Sequence, residues 1–219
     1  MKKNVSECPI CSDCNAQEYS HDKFRKYLIC PNCELIFVPR NQLIPPDAEK
    51  QRYDSHQNDE NDPHYKNYLM QMVDQIIPEL EKQQVGLDFG CGRTDLLAQL
   101  FREKNFLVDS FDLYFLPDEK IWEKKYHFII LSEVIEHLRD PLAELEKLRK
   151  LLLPDGKFFI KTKLHPGDKK LFDNWFYKRD STHIQFFNSN SLRELGRKIK
   201  MSGPEIKSED LTLFTASLS

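Results

Sequence analysis

Short apolar runs and periodic apolar stripes alternate along residues 63–219. The runs are bounded by glycine, proline or acidic residues, which predicts buried strands. These runs occupy residues 85–89, 106–111, 126–131, 157–162, 206–208 and 211–216. Between them, apolar residues recur three and four positions apart, as in helices that pack one face on a sheet. Strands that alternate with helices indicate an α/β fold with a mostly parallel sheet. The last two strands are expected to form an antiparallel edge.

The first helix of this region is predicted to begin at Asp62-Pro63, because aspartate caps helices and proline is favoured in the first turn. Pro78 should kink or end it. Further helices are predicted over residues 94–101 and from Pro141 onward. The apolar stripe of the first helix comprises Tyr65, Tyr68, Leu69, Met72, Val73, Ile76, Ile77 and Leu80.

A strand, a glycine turn and a helix follow one another at residues 85–101. Gly90 and Gly92 flank Cys91 directly after the strand, and their lack of a Cβ lets the backbone come close to a ligand. Such a unit binds nucleotide-like ligands at the carboxyl edge of an α/β sheet. The alternative interpretation is an ordinary tight turn between a strand and a helix.

Two carboxylates near this turn narrow the choice of ligand. Asp88 ends the strand, where a carboxylate suits a cationic amino group better than a pyrophosphate. Asp112 ends the next strand, and an acid there typically accepts hydrogen bonds from ribose hydroxyls. The dinucleotide fingerprint also requires a third glycine where Asp95 stands. An amino group together with a ribose points to S-adenosylmethionine.

The sequence LDFGCG, the distal Asp112 and the run SEVIEH after a later strand resemble the class I S-adenosylmethionine-dependent methyltransferases. The resemblance covers about residues 63–219 and implies a Rossmann-like sheet, mostly parallel with an antiparallel edge strand. In the family the glycine loop often has a further glycine where Thr94 stands, so this loop departs from the common pattern. The implied cofactor-binding residues are Asp88, Gly90, Cys91, Gly92, Asp112, Ser132 and Glu133.

A second group of polar residues follows the strand at 126–131. If the chain turns helical at Glu133, then Glu136 and His137 share a face with it. Two carboxylates and an imidazole so close repel one another unless protonated or bridged by a cation, and Mg²⁺ or Mn²⁺ would satisfy them. The distant His183 could complete such a site. This set resembles the metal site of small-RNA 3′-terminal 2′-O-methyltransferases, and a similar run occurs in ubiquinone-pathway O-methyltransferases.

Other interpretations of these residues stay open. His137 can act as a metal-free general base, because an imidazole titrates near neutral pH. Alternatively, Glu136 and His137 simply cap the floor of the cleft. The aromatic residues 175–177 are expected either to wall a substrate pocket or to pack in a core. The catalytic residues that we predict to converge are Glu133, Glu136, His137 and His183.

Residues 1–40 contain two Cys-Pro-x-Cys pairs. Four thiolates with this spacing fit a structural zinc ribbon, in which metal supplies the folding energy that so short a segment lacks. Cys14 is an alternative ligand, but the symmetry of the two pairs leaves it as a spare thiol. Similar ribbons occur at the N-terminus of some bacterial methyltransferases. The predicted zinc ligands are Cys8, Cys11, Cys30 and Cys33.

Residues 41–62 are predicted to connect this ribbon (residues 1–40) to the methyltransferase-like domain (residues 63–219). Pro45-Pro46 should interrupt regular structure, and a solvated linker is the simpler interpretation. A lid over the cofactor is the alternative, because Tyr53 and His56 are unusual in a pure spacer.

Charge and composition exclude some classes of protein. A net charge of −3 gives no general attraction to nucleic acid or to an anionic membrane. No apolar run approaches the roughly 20 residues of a membrane span, and the N-terminus lacks the apolar core of a signal peptide. We therefore expect a cytoplasmic protein with reduced thiols and no membrane partner.

These observations together predict S-adenosylmethionine-dependent O-methylation of a small molecule. Two alternatives remain. One is methylation of an RNA, whose phosphates would meet basic residues near the end of the chain. The other is a non-catalytic adaptor that binds the ligand and uses the ribbon to bind a partner. The basic residues in question are Lys161, Lys163, Lys169, Lys170, Lys178 and Arg179.

Overall fold

The computed structural model of the protein describes residues 7–54 and 60–216. The strands in these ranges form a central sheet of six strands and a smaller sheet of four. His56, which the lid interpretation also used, lies outside the described residues. In chain order the strands are β1 (Gln17–His21), β2 (Lys26–Ile29), β3 (Ile36–Phe37), β4 (Val85–Phe89), β5 (Leu107–Phe111), β6 (Tyr126–Ser132), β7 (Leu152–Lys161), β8 (Gln185–Phe186), β9 (Met201–Ile206) and β10 (Leu211–Ala216).

Helices occupy the stretches where apolar stripes predicted them, with small shifts at their ends. Asp62 caps α2 through its side chain, and the helix ends just before Pro78, as predicted. Among the described residues, no helix combines the length and the apolar composition needed to cross a membrane. The helices are α1 (Pro46–Asp54), α2 (Pro63–Ile76), α3 (Leu96–Glu103), α4 (Pro141–Arg149), α5 (Lys169–Asn174) and α6 (Ser189–Lys198).

The central sheet has the strand order β5-β4-β6-β7-β10-β9. Strands β5, β4, β6 and β7 are parallel, and β10 is antiparallel to both of its neighbours. The mostly parallel sheet is thus confirmed, but the reversed strand lies one position inside the edge. The cause is burial: β10 is almost wholly buried, whereas most residues of β9 are exposed. A short turn joins the two strands, so the polar β9 forms the edge beside its apolar partner.

Alternation along β6 shows why helices cover both faces of this sheet. Phe128 and Ile130 pack with α2 and α3, whereas Ile129 and Leu131 pack with α4 and α6 on the opposite face. Successive side chains of a strand point to opposite faces, so a continuous apolar run requires cover on each. The carboxyl ends of the parallel strands remain available for a ligand.

The smaller sheet joins strands that lie far apart in the sequence. Its order is β1-β2-β3-β8, and β8 comes from the region beyond residue 180. Ile36 pairs with Phe186, and the rings of Tyr27, Phe172 and Phe186 pack edge to face with centroids 5.4–5.8 Å apart. The predicted ribbon segment therefore shares a core with residues 172–186.

The predicted connector contains a helix. Pro45-Pro46 was expected to interrupt regular structure, but Pro46 is the first residue of α1. Proline is tolerated there because the first turn of a helix leaves its N–H groups without intrahelical partners.

Candidate active site

A cavity of about 720 Å³ opens at the carboxyl ends of β4, β5 and β6. Ligands of open α/β sheets bind at this edge, outside the carboxyl ends of the strands. Every residue that the sequence predicted to bind the cofactor lines this cavity, although the individual roles stay predictions. These residues are Asp88, Gly90, Cys91, Gly92, Asp112, Ser132 and Glu133.

The glycine turn is fixed by the end of β5. The backbone N–H groups of Gly90 and Cys91 both donate to the carbonyl oxygen of Phe111, at 2.7 and 3.1 Å. Gly90 has φ +83°, and a Cβ at this position would lie 2.5 Å from Val134 Cγ2. Only glycine fits such a conformation and so close an approach. The turn therefore presents its backbone to the cavity at a defined place.

Asp112 connects this turn to the loop that follows β5. Its Oδ2 accepts a hydrogen bond from the N–H of Gly92 at 3.1 Å. Its Oδ1 accepts from the N–H groups of Tyr114 and Phe115, at 2.8 and 3.0 Å. An ionised carboxylate offers about four acceptor positions, so capacity for a ribose hydroxyl remains. Asp112 thus shapes the site as well as facing it.

Asp88 is a buried carboxylate at the end of β4, with 2 % of its surface exposed. Burial raises its pKa to about 7, and the nearby charges of Asp112 and Asp95 contribute in the same direction. A cationic group beside Asp88 would oppose this shift, because an opposite charge favours the ionised carboxylate. The position therefore suits an amino group.

The prediction of a helical turn starting at Glu133 is wrong. The N–H of Glu133 still donates to the carbonyl of Lys161 at 2.8 Å, which extends the pairing of β6 with β7. The backbone then bends at Glu133 with φ +54°, and a short 3₁₀ turn follows at Ile135–His137. As a result, Glu133 and His137 line the cavity, whereas Glu136 is fully buried.

Tyr177 links the two carboxylates. Its hydroxyl lies 2.9 Å from Glu133 Oε2 and also contacts Glu136 Oε1. A phenol has a single proton to donate, so one of these carboxyl groups must supply the second. Burial and the charge of Glu133 raise the pKa of Glu136 well above its usual range, and burial also raises the pKa of Glu133. Residues 175–177 were predicted either to wall a substrate pocket or to pack in a core, and nothing in their spacing indicates this bridge.

The two histidines meet beside Glu136. His137 Nδ1 donates to the carbonyl of Thr182 at 3.0 Å, and His183 Nδ1 donates to the carbonyl of Tyr177 at 2.7 Å. A carbonyl can only accept, so each neutral ring carries its proton on Nδ1 and its lone pair on Nε2. The ring centroids are 4.7 Å apart. The structure thus brings the four predicted catalytic residues together, with Glu133 joined through Tyr177.

Helix α1 covers one side of the cavity. Glu49 and Tyr53 line it, and the Tyr53 ring lies 5.4 Å from the ring of His137. Ion pairs attach α1 to three loops around the site. They are Arg52–Asp180 at 2.8 Å, Glu49–Arg139 at 2.9 Å and Asp54–Arg93 at 2.5 Å.

The four predicted zinc ligands are close together. One ligand atom from each of Cys8, Cys11, Cys30 and Cys33 lies within 4.8 Å of the others. The Sγ atoms of Cys8 and Cys33 are 3.6 Å apart, and those of Cys11 and Cys30 are 3.3 Å apart. Tetrahedral zinc with Zn–S bonds of about 2.3 Å requires sulfur separations of about 3.8 Å, so the cluster fits this metal. The exposed Cys14 lies outside the group.

A family model described as a methyltransferase domain matches residues 61–199. The chain belongs to this methyltransferase family. A curated relative, described as an uncharacterized methyltransferase of Schizosaccharomyces pombe, is 24% identical over 135 residues. That match covers 57% of this chain and 48% of the relative, so the chain spans about half the length of the curated relative.

Solved structures share the fold of this methyltransferase. One is a Burkholderia thailandensis 1,6-didemethyltoxoflavin-N1-methyltransferase with bound 1,6-didemethyltoxoflavin and S-adenosylhomocysteine. It has a TM-score of 0.57 at 18% identity, and the match covers 92% of this chain and 100% of that chain. Another is human N-acetylserotonin methyltransferase in complex with S-adenosylmethionine, with a TM-score of 0.53 at 14% identity. The match covers 80% of this chain and 60% of the human chain. The family match confirms the predicted methyltransferase domain, and the solved structures confirm its predicted class I, Rossmann-like fold.

Proposed function

We propose that this protein transfers the methyl group of S-adenosylmethionine to an oxygen atom of a small molecule. The observation that carries the proposal is the arrangement of one cavity. Asp88, the glycine turn and Asp112 line it, and so do Glu133, His137 and His183. A cofactor and a substrate bound in this cavity would therefore lie within reach of each other.

In this proposal the amino group of the cofactor lies near Asp88 and its ribose hydroxyls bind Asp112. The substrate oxygen lies near Glu133 and His137, where the Nε2 lone pair of His137 serves as general base. The oxygen attacks the sulfonium methyl in line, and most of the acceleration comes from holding the two reactants in this geometry.

A small substrate is supported by helix α1, which lines the cavity and places Tyr53 against His137. An RNA substrate has weaker support, because two members of the predicted basic cluster cannot meet phosphates. Lys161 is buried against Asp210, and Lys178 is buried over the rings of Tyr27 and Phe172. The didemethyltoxoflavin and N-acetylserotonin enzymes also act on small molecules, by their descriptions.

Calorimetry with S-adenosylmethionine tests the cofactor site. We expect binding, and Asp112→Ala should weaken it by about 1–3 kcal/mol through lost charged hydrogen bonds. Because Asp112 also holds Gly92, Asp112→Asn serves as the milder variant. Binding of a nicotinamide dinucleotide in place of S-adenosylmethionine would contradict the proposal.

Labelled S-adenosylmethionine incubated with a metabolite extract or with cellular RNA identifies the substrate class. Label in an alkali-stable methyl ether of a small molecule is the expected result. Label in RNA would select the nucleic-acid alternative. Cofactor binding without transfer to either fraction would select the adaptor.

A divalent cation at the histidines is a second candidate. One ligand atom from each of Glu136, His137 and His183 lies within 4.8 Å of the others. Among the described residues, Glu136 Oε2 is a buried oxygen with no hydrogen-bond partner. The Nδ1 bonds to backbone carbonyls are of the kind that orients histidine ligands. Two nitrogens and one oxygen suit Mn²⁺ better than Mg²⁺. The bound ion would coordinate the substrate oxygen and lower the pKa of the substrate hydroxyl group.

Metal analysis and chelation separate the ion from the general base. If the ion is present, Mn²⁺ should bind the purified protein, and His183→Ala should abolish that binding while the affinity for S-adenosylmethionine is retained. If turnover survives a chelator yet is lost in His137→Ala, the metal-free base is correct.

We further propose that Cys8, Cys11, Cys30 and Cys33 hold a structural zinc, supported by the distances between their sulfur atoms. Four thiolates fill the tetrahedral site, so the metal has no open position for chemistry. A cytoplasmic location stays a prediction from the sequence.

A further inference from the structure

The loop at residues 177–182, which we call the histidine loop, orients both imidazoles of the proposed site. Its first carbonyl, of Tyr177, accepts from His183 Nδ1, and its last, of Thr182, accepts from His137 Nδ1. These bonds determine the tautomer and the direction of each ring. The placement of the two rings therefore depends on where the backbone of this loop lies.

The histidine loop has little regular structure to hold it. A 3₁₀ turn ends at Arg179, and β8 does not begin until Gln185. The N–H of His183 donates to the carbonyl of Asp180 at 3.2 Å, and the Asp180 carboxylate accepts from the N–H of Thr182 and pairs with Arg52 of α1. The carbonyls of Lys178 and Ser181 take their partners from the N-terminal segment.

Arg25 supplies these partners. Its Nη1 donates to the carbonyl of Ser181 at 2.8 Å. Its Nη2 donates to the carbonyls of Lys178 and Asp180, at 2.9 and 2.8 Å. A guanidinium is planar and presents its N–H groups in a fixed fork, so one side chain sets the positions of three carbonyls relative to one another.

The guanidinium is itself held by the smaller sheet. Arg25 lies in the turn between β1 and β2, and its Nε donates to the hydroxyl of Tyr27 at 3.0 Å. That hydroxyl donates to Asp22 Oδ2 at 2.7 Å, and the ring of Tyr27 is fully buried. The hairpin formed by β1 and β2 thus holds the guanidinium group that donates to the carbonyls of the histidine loop.

We infer that Arg25 is a positioning residue for methyl transfer: through the histidine loop it holds His137 and His183 toward the cavity. The inference rests on the proposed function, since it assigns Arg25 a part in that reaction. It also gives the N-terminal segment a role in the active site, because Arg25 adds contacts to the loop backbone beside the ion pair that Arg52 of α1 makes with the Asp180 side chain.

The test compares Arg25→Ala and Arg25→Lys with Lys26→Ala. Lys26 is the adjacent, exposed cation, and its ammonium pairs with Glu18 at 2.6 Å. Nitrogen-15 spectra of the imidazoles report the Nδ1–H groups of His137 and His183 without any turnover. Calorimetry reports the affinity for S-adenosylmethionine, and kinetics with the substrate found in the extract screen report kcat and KM.

We expect both Arg25 variants to shift or broaden the two Nδ1–H signals and to lower kcat by about tenfold or more, because small misplacements of reacting groups are costly. Affinity for S-adenosylmethionine should stay within about twofold, because the cofactor residues lie on other loops. Lysine keeps the charge but is a point donor, so Arg25→Lys should not restore the signals. Lys26→Ala should leave all three measurements unchanged.

Unchanged Nδ1–H signals in Arg25→Lys would overturn the inference, and so would shifted signals with an unchanged kcat. If Arg25→Ala does not fold, Arg25→Lys decides. Failure of the wild-type protein to bind S-adenosylmethionine would refute the proposed function instead, and the spectra would still show whether Arg25 orients the histidines.

Discussion

Asp88 shows how a single residue can oppose stability and serve binding. Burial raises its pKa to about 7 from an ordinary value of 3.8. The folded state therefore holds this proton more tightly than the unfolded state. The resulting cost to stability is absent below pH 4, grows between pH 4 and 7 and is fully present above pH 7. A bound cation offsets this cost, because it stabilises the ionised carboxylate.

Asp88→Asn should therefore stabilise the cofactor-free protein against heat at pH 8, and it should do so to a smaller extent at pH 5. The affinity of the wild-type protein for S-adenosylmethionine should fall as the pH drops below 7, because a proton then competes with the cationic ligand. Thermal melts and calorimetry across this range check both effects, with the exposed Asp74→Asn as control. A cofactor affinity independent of pH would show that Asp88 does not face the amino group.

At the scale of elements, α1 is unusual because charges attach it more than packing does. None of its residues is buried, and its ion pairs reach the glycine turn, the histidine loop and the loop at Arg139. Exposed ion pairs contribute about 0.2–1 kcal/mol each and weaken with salt. We propose that α1 is a lid held over the cavity by these pairs, as the alternative interpretation of the connector suggested.

Removing one of the ion pairs of α1 should speed the release of the cofactor. In Arg52→Gln, which loses the pair with Asp180, the dissociation rate of S-adenosylmethionine should rise several-fold in stopped-flow measurements, and added salt should raise it further in the wild type. Lys50→Gln changes an exposed charge on the same helix and should have no comparable effect. A dissociation rate that neither substitution nor salt alters would refute the lid.

At the scale of the whole molecule, the N-terminal segment is built into the methyltransferase domain. Strand β8 completes its sheet, and His165 Nε2 contacts the carbonyl of Glu34 at 3.1 Å beside the cysteine cluster. Loss of the metal should therefore destabilise parts of the structure beyond residue 40. Structural zinc contributes directly to folding free energy, since its site does not exist in the unfolded chain.

Elemental analysis should find one zinc per chain, and Cys30→Ser should lose it. Hydrogen exchange should then accelerate in β1–β3 and also in the histidine loop, which those strands hold through Arg25. Cys14→Ser is the matched control and should keep both the zinc and the exchange pattern. Metal-free protein with unchanged exchange would contradict a structural role, and zinc retained in Cys8→Ser would implicate Cys14.

The sequence by itself determined the central strands, the glycine turn and the cysteine pairs. The predicted strand at 85–89 coincides with β4, and that at 211–216 coincides with β10. Gly90 and Asp112 were placed in the ligand cavity from their positions after two strands. Each of these features depends on residues close in the sequence, whose period or spacing is itself the physical cause of the structure.

The tertiary structure decided what these local features do together. The backbone bends at Glu133 with a positive φ in place of starting a helix, and the Tyr177 hydroxyl joins Glu133 to Glu136. Arg25 donates hydrogen bonds to backbone carbonyls more than 150 positions away in the sequence. Such contacts join groups that no periodicity relates, and backbone carbonyls are the same in every residue. Only the packing of the two sheets determines which of them meet, so only the folded chain shows how this site is held.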